Sequence, residues 1–123
     1  MSEFVVLACG SRHYANEKVV YDALDALHAK RAITTLVQGG ARGADKLAKE
    51  WAKSRGVHCL TFMADWDKYG LAAGPKRNQQ MIDEAKPQFV VAFPGNKGTR
   101  DMKFKAVAAG IKVWEVQEST TGE

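Results

Sequence analysis

Thr34-Thr35-Leu36-Val37-Gln38-Gly39-Gly40-Ala41-Arg42-Gly43-Ala44-Asp45-Lys46-Leu47-Ala48 is the stretch that decides the fold. It begins as an apolar run, with Ile33 just before it, that reads as a buried strand. It turns through three glycines and enters a helical pattern. Ala44, Leu47, Ala48, Trp51 and Ala52 form one stripe, and Gly56 falls where a helix C-terminal glycine belongs.

The same grammar extends outward in both directions. Phe4 to Ala8, Val57 to Phe62, Gln88 to Phe93 and Lys112 to Val116 are the other short apolar runs. Runs without strict alternation suit strands covered on both faces, as in a parallel sheet. Between them lie helical patterns. Val20, Leu24 and Leu27 follow Asn16, a plausible N-cap. Pro75 opens a helix expected to reach about Ala85, before Lys86-Pro87. Phe104, Val107 and Ala108 form the last expected buried stripe, closed by Gly110. Strand–helix alternation predicts an α/β fold, a Rossmann-like three-layer sandwich. Its five-stranded parallel sheet is expected in the order 3-2-1-4-5. Residues 1–116 are expected to form a single domain, and 117–123 a flexible tail.

The chain has 123 residues, of which 46% are hydrophobic and 26% charged, so global disorder is excluded. No apolar run is long enough for a transmembrane helix, and the N-terminus does not read as a signal peptide. Cys9 and Cys59 form no metal or redox motif, so the expectation is reduced thiols in a cytoplasm. His13, His28 and His58 lack metal-ligand spacing, so neither a metal nor a cofactor is expected. His13 is the one histidine in a site loop. The net charge of +4 favours anionic partners.

In such sheets ligands bind beyond the carboxyl ends of the strands, near the reversal of strand order. Three loops there are informative: Gly10-Ser11-Arg12, Gly39-Gly40-Ala41-Arg42-Gly43-Ala44-Asp45, and Pro94-Gly95-Asn96-Lys97-Gly98-Thr99. Glycine allows close backbone approach, and helix-start N–H groups favour an anion. Arg12 and Arg42 stand nearby. Neither a P-loop nor G-x-G-x-x-G is present, which argues against a Walker-type NTPase and the ordinary dinucleotide fingerprint. Arg77 and Asn78 fall in a helix's first turn by the same edge. The guanidinium there either grips phosphate or makes a surface ion pair. Trp66 and Tyr69 either stack on a base or cover the sheet edge.

Gly39-Gly40-Ala41-x-Gly43-Ala44-Asp45, Ala64-Asp65-Trp66-x-x-Tyr69-Gly70 and Ala73-Gly74-Pro75-x-Arg77-Asn78-x-x-Met81 resemble the YspA-like branch of the SLOG superfamily. That superfamily includes the Smf/DprA proteins and the LOG phosphoribohydrolases. The resemblance spans about Phe4 to Val116 and implies a Rossmann-like nucleotide-binding fold. In LOG enzymes it implies cleavage of the N-glycosidic bond of a nucleoside monophosphate. Their R-K-x-x-M motif is similar to Arg77-Asn78-Gln79-Gln80-Met81, with Asn78 replacing lysine. Their P-G-G-x-G-T-x-x-E is similar to Pro94 through Met102, with Asn96 replacing a glycine and Met102 standing at the catalytic glutamate.

Methionine can neither stabilise an oxocarbenium ion nor activate water. Asp101, one residue earlier, is either a substitute acid or a helix-start acid favoured by the dipole. Asp45 and Asp65 are further carboxylates with structural roles of their own. Cys9 has no histidine placed to activate it, so a buried structural thiol is expected. The first expectation is therefore a binding module for a small phosphorylated nucleoside or nucleotide, of the AMP or ADP-ribose type. Its ligand residues would be Gly10, Ser11, Arg12, Gly39, Gly40, Ala41, Arg42, Asp45, Asn78, Pro94, Gly95, Gly98 and Thr99. The alternatives are a LOG-like hydrolase using Arg77 and Asp101, and a DprA-like module for single-stranded nucleic acid. The resemblance also implies a homodimer.

Overall fold

The structure, a computed structural model, describes residues 3–118. Residues 119–123 of the expected tail lie outside the described residues, while Gln117 and Glu118 follow the last strand without regular structure.

The sheet is fully parallel and ordered β3-β2-β1-β4-β5, as the alternation predicted. Its strands are β1 (Val5–Cys9), β2 (Thr35–Gln38), β3 (His58–Thr61), β4 (Phe89–Ala92) and β5 (Lys112–Glu115). Val6 pairs with Leu36 on one side and Phe89 on the other, so β1 is the central strand. Side chains alternate across it. Phe4, Val6 and Ala8 face one core with Leu36, Val91 and Phe93. Helices α1 (Glu17–Lys30) and α2 (Ala44–Arg55) close that core with Val20, Leu24, Ala48 and Trp51. Val5, Leu7 and Cys9 face the second core with Val37, Val90 and Ala92. Met81 and Ile82, with Met102 and Ala106, cover it from two helical segments.

Local chemistry explains the helix ends. Asn16 Oδ1 accepts the Val19 N–H (3.2 Å), and Gly56 takes the left-handed conformation after α2. Asp65 caps a one-turn helix, α3 (Trp66–Tyr69), by accepting from Lys68 N (3.1 Å). A 3₁₀ turn, Gly70–Ala72, leads into α4 (Ala73–Gln80). The helix expected from Pro75 thus begins two residues earlier. Its second half, Met81–Ala85, is a π turn that ends at a left-handed Lys86 before Pro87.

Two expectations need correction. Both-sided coverage holds for β1, β2 and β4, but β3 and β5 are edge strands with mostly exposed residues. In α5 (Lys97–Ala108) the buried residues are Thr99, Met102 and Ala106. Phe104 and Val107 point outward, 75% and 67% exposed. No helix among the described residues is long and apolar enough to cross a membrane.

Candidate ligand site at the strand ends

The loops after β1, β2 and β4 meet at Ser11. Its N–H donates to Pro94 O (2.9 Å), and its carbonyl accepts from Ala44 N (3.1 Å) and Tyr14 N (3.1 Å). The glycines permit this closeness. A Cβ on Gly10 would stand 2.7 Å from the Ala44 Cβ and 3.0 Å from the Phe93 Cβ. Gly43, at φ +70°, presses against the backbone of Ser11 and Arg12. Gly95 leaves room for the buried Thr99 side chain and for Ser11 N.

Arg77 reaches this junction from α4. Its Nη1 donates to Gly39 O (2.6 Å) and its Nε to Asn78 Oδ1 (3.1 Å). Nη2 has no partner among the described residues. Burial lowers the pKa of the half-buried guanidinium, opposed by the charge of Asp45. Asn78, also buried, donates through Nδ2 to Gly98 O (3.2 Å) and Asp101 Oδ2 (3.0 Å). One amide side chain therefore joins Arg77 to the first turn of α5. That turn has no side-chain cap and no acidic residue.

The other two helix starts differ from it. Asn16 caps α1. At α2, Asp45 lies buried in the first turn, and its Oδ2 accepts the Ala41 N–H (3.2 Å). Desolvation raises the Asp45 pKa, with the Ala41 N–H and Arg77 acting against it. The three loops converge; α2 and α5 both lack a side-chain cap, and of the two only α5 carries no acidic residue in its first turn.

The remaining predicted residues divide clearly. Arg12 and Arg42 are exposed on the loop rims and make no hydrogen bond or ion pair among the described residues. Asp101 is turned toward the groove between α4 and α5. Lys105 Nζ donates to both its oxygens, at 2.6 and 2.8 Å. Met102 is fully buried in the second core. Cys9 is buried, and desolvation followed by the nearby Asp45 charge pushes its thiol up to about 12, so it stays protonated. His13 N donates to Ser11 Oγ (3.0 Å), a local turn bond.

Sequence reasoning missed Gln38. Fully buried at the end of β2, it accepts the Gly40 N–H (2.6 Å) through Oε1 and donates to Thr61 Oγ1 through Nε2. It fixes the glycine turn from below. An amide closing an apolar strand was the available signal. Lys105, which neutralises Asp101 one turn away, was also missed. A cavity of about 440 Å³ opens beside the junction, over the ends of β4 and β5. Pro94 and Gly95 form one wall, and the Lys103–Glu115 ion pair (2.8 Å) forms another.

The family model described as "YspA, cpYpsA-related SLOG family" matches residues 4–69. The chain is 39% identical over 116 residues to the Gene 61 protein of Mycobacterium phage D29, covering 88% of this chain and 92% of that one. Among solved structures it is similar to DNA processing protein A (DprA) from Streptococcus pneumoniae, with a TM-score of 0.76 at 18% identity. That match covers 98% of this chain and 52% of DprA, so the chain spans about half the DprA length and shares its fold.

Proposed function

The chain belongs to the YspA- and cpYpsA-related family of the SLOG superfamily, and from that premise we propose that it binds a small phosphorylated nucleoside or nucleotide at the carboxyl edge of its sheet. One observation carries this reading. Arg77 is braced by Gly39 O and Asn78 with Nη2 left over, and Asn78 ties it to the uncapped, acid-free first turn of α5. A guanidinium and a set of helix-start N–H groups within one side chain of each other suit a phosphate. The Pro94–Gly95 wall then leads toward the cavity over β4 and β5, where room exists for the remainder of an AMP- or ADP-ribose-sized molecule.

The glycosidase alternative draws less support. Met102 is core, and Asp101 is held by Lys105 and Asn78 on the groove side of α5. A carboxylate with both oxygens engaged is a poor base for water.

Calorimetry with AMP, ADP-ribose, ribose 5-phosphate and inorganic phosphate tests the binding reading. Binding of a phosphorylated nucleoside, weakened about tenfold to a hundredfold by Arg77→Ala as expected for a charge-assisted contact, supports it. No binding by any member of the panel overturns it.

A second reading has its own observation. Trp66 is 54% exposed, and Tyr69 carries the ammonium groups of Lys68 and Lys76 at 5.1 and 4.8 Å from its ring centre. Exposed rings beside lysines suit single-stranded nucleic acid. Salt-dependent binding of oligonucleotides, lost in Trp66→Ala, separates this reading from the first.

A further inference from the structure

After β5 the chain returns to the loop that follows β1. Val116 N donates to Ala92 O (2.8 Å), and the chain continues through Gln117 to Glu118. Glu118 Oε1 accepts from Asn16 Nδ2 (2.6 Å), a contact between residues 102 positions apart. The other end of the same amide, Asn16 Oδ1, caps α1. One side chain therefore fixes a helix start and holds the segment after β5. Val116, Gln117 and Glu118 line the cavity of about 440 Å³ over β4 and β5, together with Phe93, Pro94 and Gly95.

Tyr14 lies against this segment. Its ring stacks on Phe93, with centroids 6.1 Å apart, and Phe93 lines the cavity. The Tyr14 hydroxyl is buried without a hydrogen-bond partner among the described residues. Burial, and then the nearby Glu118 carboxylate, push its pKa up to about 12. A buried hydroxyl without a partner costs free energy that water or a ligand would recover. The bond that keeps the segment in place is itself exposed, and exposed polar contacts are weak. The closed arrangement thus combines a weak fastening with an unsatisfied group that opening would satisfy.

We propose that residues 116–118 are a strap over the cavity, latched by the Asn16–Glu118 bond, and that release of the latch opens the cavity to a ligand. Release frees Asn16 Nδ2 and uncovers Tyr14 Oη, two donors for the oxygens of a sugar or a phosphate. It also withdraws the Glu118 carboxylate, whose charge opposes an anionic ligand at the cavity. Latched, the strap is therefore an autoinhibitory contact. Its role in admitting a ligand rests on the nucleotide reading; the latch itself does not.

Hydrogen exchange of the full chain without ligand tests the latch, read at the Val116 N–H that bonds Ala92 O. Glu118→Ala and Asn16→Asp each break the latch, and Asn16→Asp keeps an acceptor for the Val19 N–H. Both positions are exposed, so the fold should tolerate the exchanges, with unchanged circular dichroism. Each should speed exchange about threefold or more, as for loss of one weak hydrogen bond. Adding Glu118→Gln to Asn16→Asp reverses donor and acceptor and should restore the wild-type rate. Unchanged exchange in the single variants, or no rescue in the double one, overturns the proposal. Stopped-flow association of AMP or ADP-ribose tests admission: a faster rate in Glu118→Ala supports it and an equal rate overturns it. If neither binds the wild type, the nucleotide reading falls, and exchange at Val116 alone decides the strap.

Discussion

At Gly39 a side chain has nowhere to go: a Cβ there would stand 2.7 Å from Arg77 Cζ and 3.0 Å from Asp45 Oδ2. The missing side chain is the space in which the guanidinium and the carboxylate face each other. Asp45 is the costly member, because burial raises its pKa against the help of Ala41 N–H and Arg77. The native state therefore holds this proton to higher pH than the unfolded chain does. By linkage, stability is greatest with Asp45 protonated and falls as pH rises from the ordinary carboxylate value through the raised one. Asp45→Asn mimics the neutral form and keeps an acceptor for Ala41 N–H. It should melt above wild type at neutral pH, and the gap should close as the pH falls into the ordinary carboxylate range. Thermal scans against pH check this; a variant less stable at neutral pH would mean that the charge itself holds the turn. Asp45 as a first-turn acid and Arg77 as a loop-edge cation were legible in the sequence. Their placement on either side of Gly39 was not, because they lie 32 positions apart in the chain and only the fold brings α4 to the loop after β2, where Arg77 meets Gly39 O.

Helices α1 and α2 illustrate an element pair that sequence spacing describes well. Their apolar stripes, the Asn16 cap and Gly56 all stand where the pattern put them. One long-range anchor was invisible to it. Asp25 on α1 accepts from Trp51 Nε1 (2.8 Å) and is gripped by Arg55 Nε (2.8 Å) and Nη2 (2.7 Å). The two charge-assisted bonds are partly exposed and contribute little, but Trp51 is fully buried and its N–H has no other acceptor among the described residues. Asp25→Ala should destabilise the protein by about 1–3 kcal/mol, the cost of leaving a buried donor unpaired. Urea unfolding measures it, and a change within error would mean that water replaces the carboxylate. Helix α5 is the contrary case. Met102 and Ala106 sit one turn apart, as do Phe104 and Val107, so the helix carries two apolar strips. Bulk favours the second strip in a sequence reading. The sheet takes the first, because the smaller Ala106 lets the helix lie close over Val90 and Ala92. The π turn at Met81–Ala85 was equally illegible, since it turns Met81 and Ile82 together into the second core with no residue signal of its own.

Across the whole molecule, the strand-end site joins the two cores. The loops after β1 and β2 lead into α1 and α2 over the first core, while Arg77, Asn78 and the start of α5 belong to helices over the second. The proposed ligand, held between Arg77 and the α5 amides, would bear on the second layer directly and on the first through the Arg77–Gly39 bond, so its binding energy would add to the native state as a whole. Mass action gives the size: at a free ligand concentration about a hundred times the dissociation constant, the native state gains about 2.7 kcal/mol. For a chain of this length that corresponds to a rise of roughly 10 °C in Tm. The shift should appear as one displaced transition with a phosphorylated nucleoside and be absent with the unphosphorylated nucleoside. Arg77→Ala should melt below wild type without ligand, because the buried Asp45 loses its cationic neighbour and Gly39 O and the buried Asn78 Oδ1 lose a donor. In that variant the ligand-induced shift should collapse. A shift of equal size in wild type and Arg77→Ala would place the ligand elsewhere on the molecule. A shift confined to the first of two separate transitions would mean that the two layers unfold independently and that the site does not couple them.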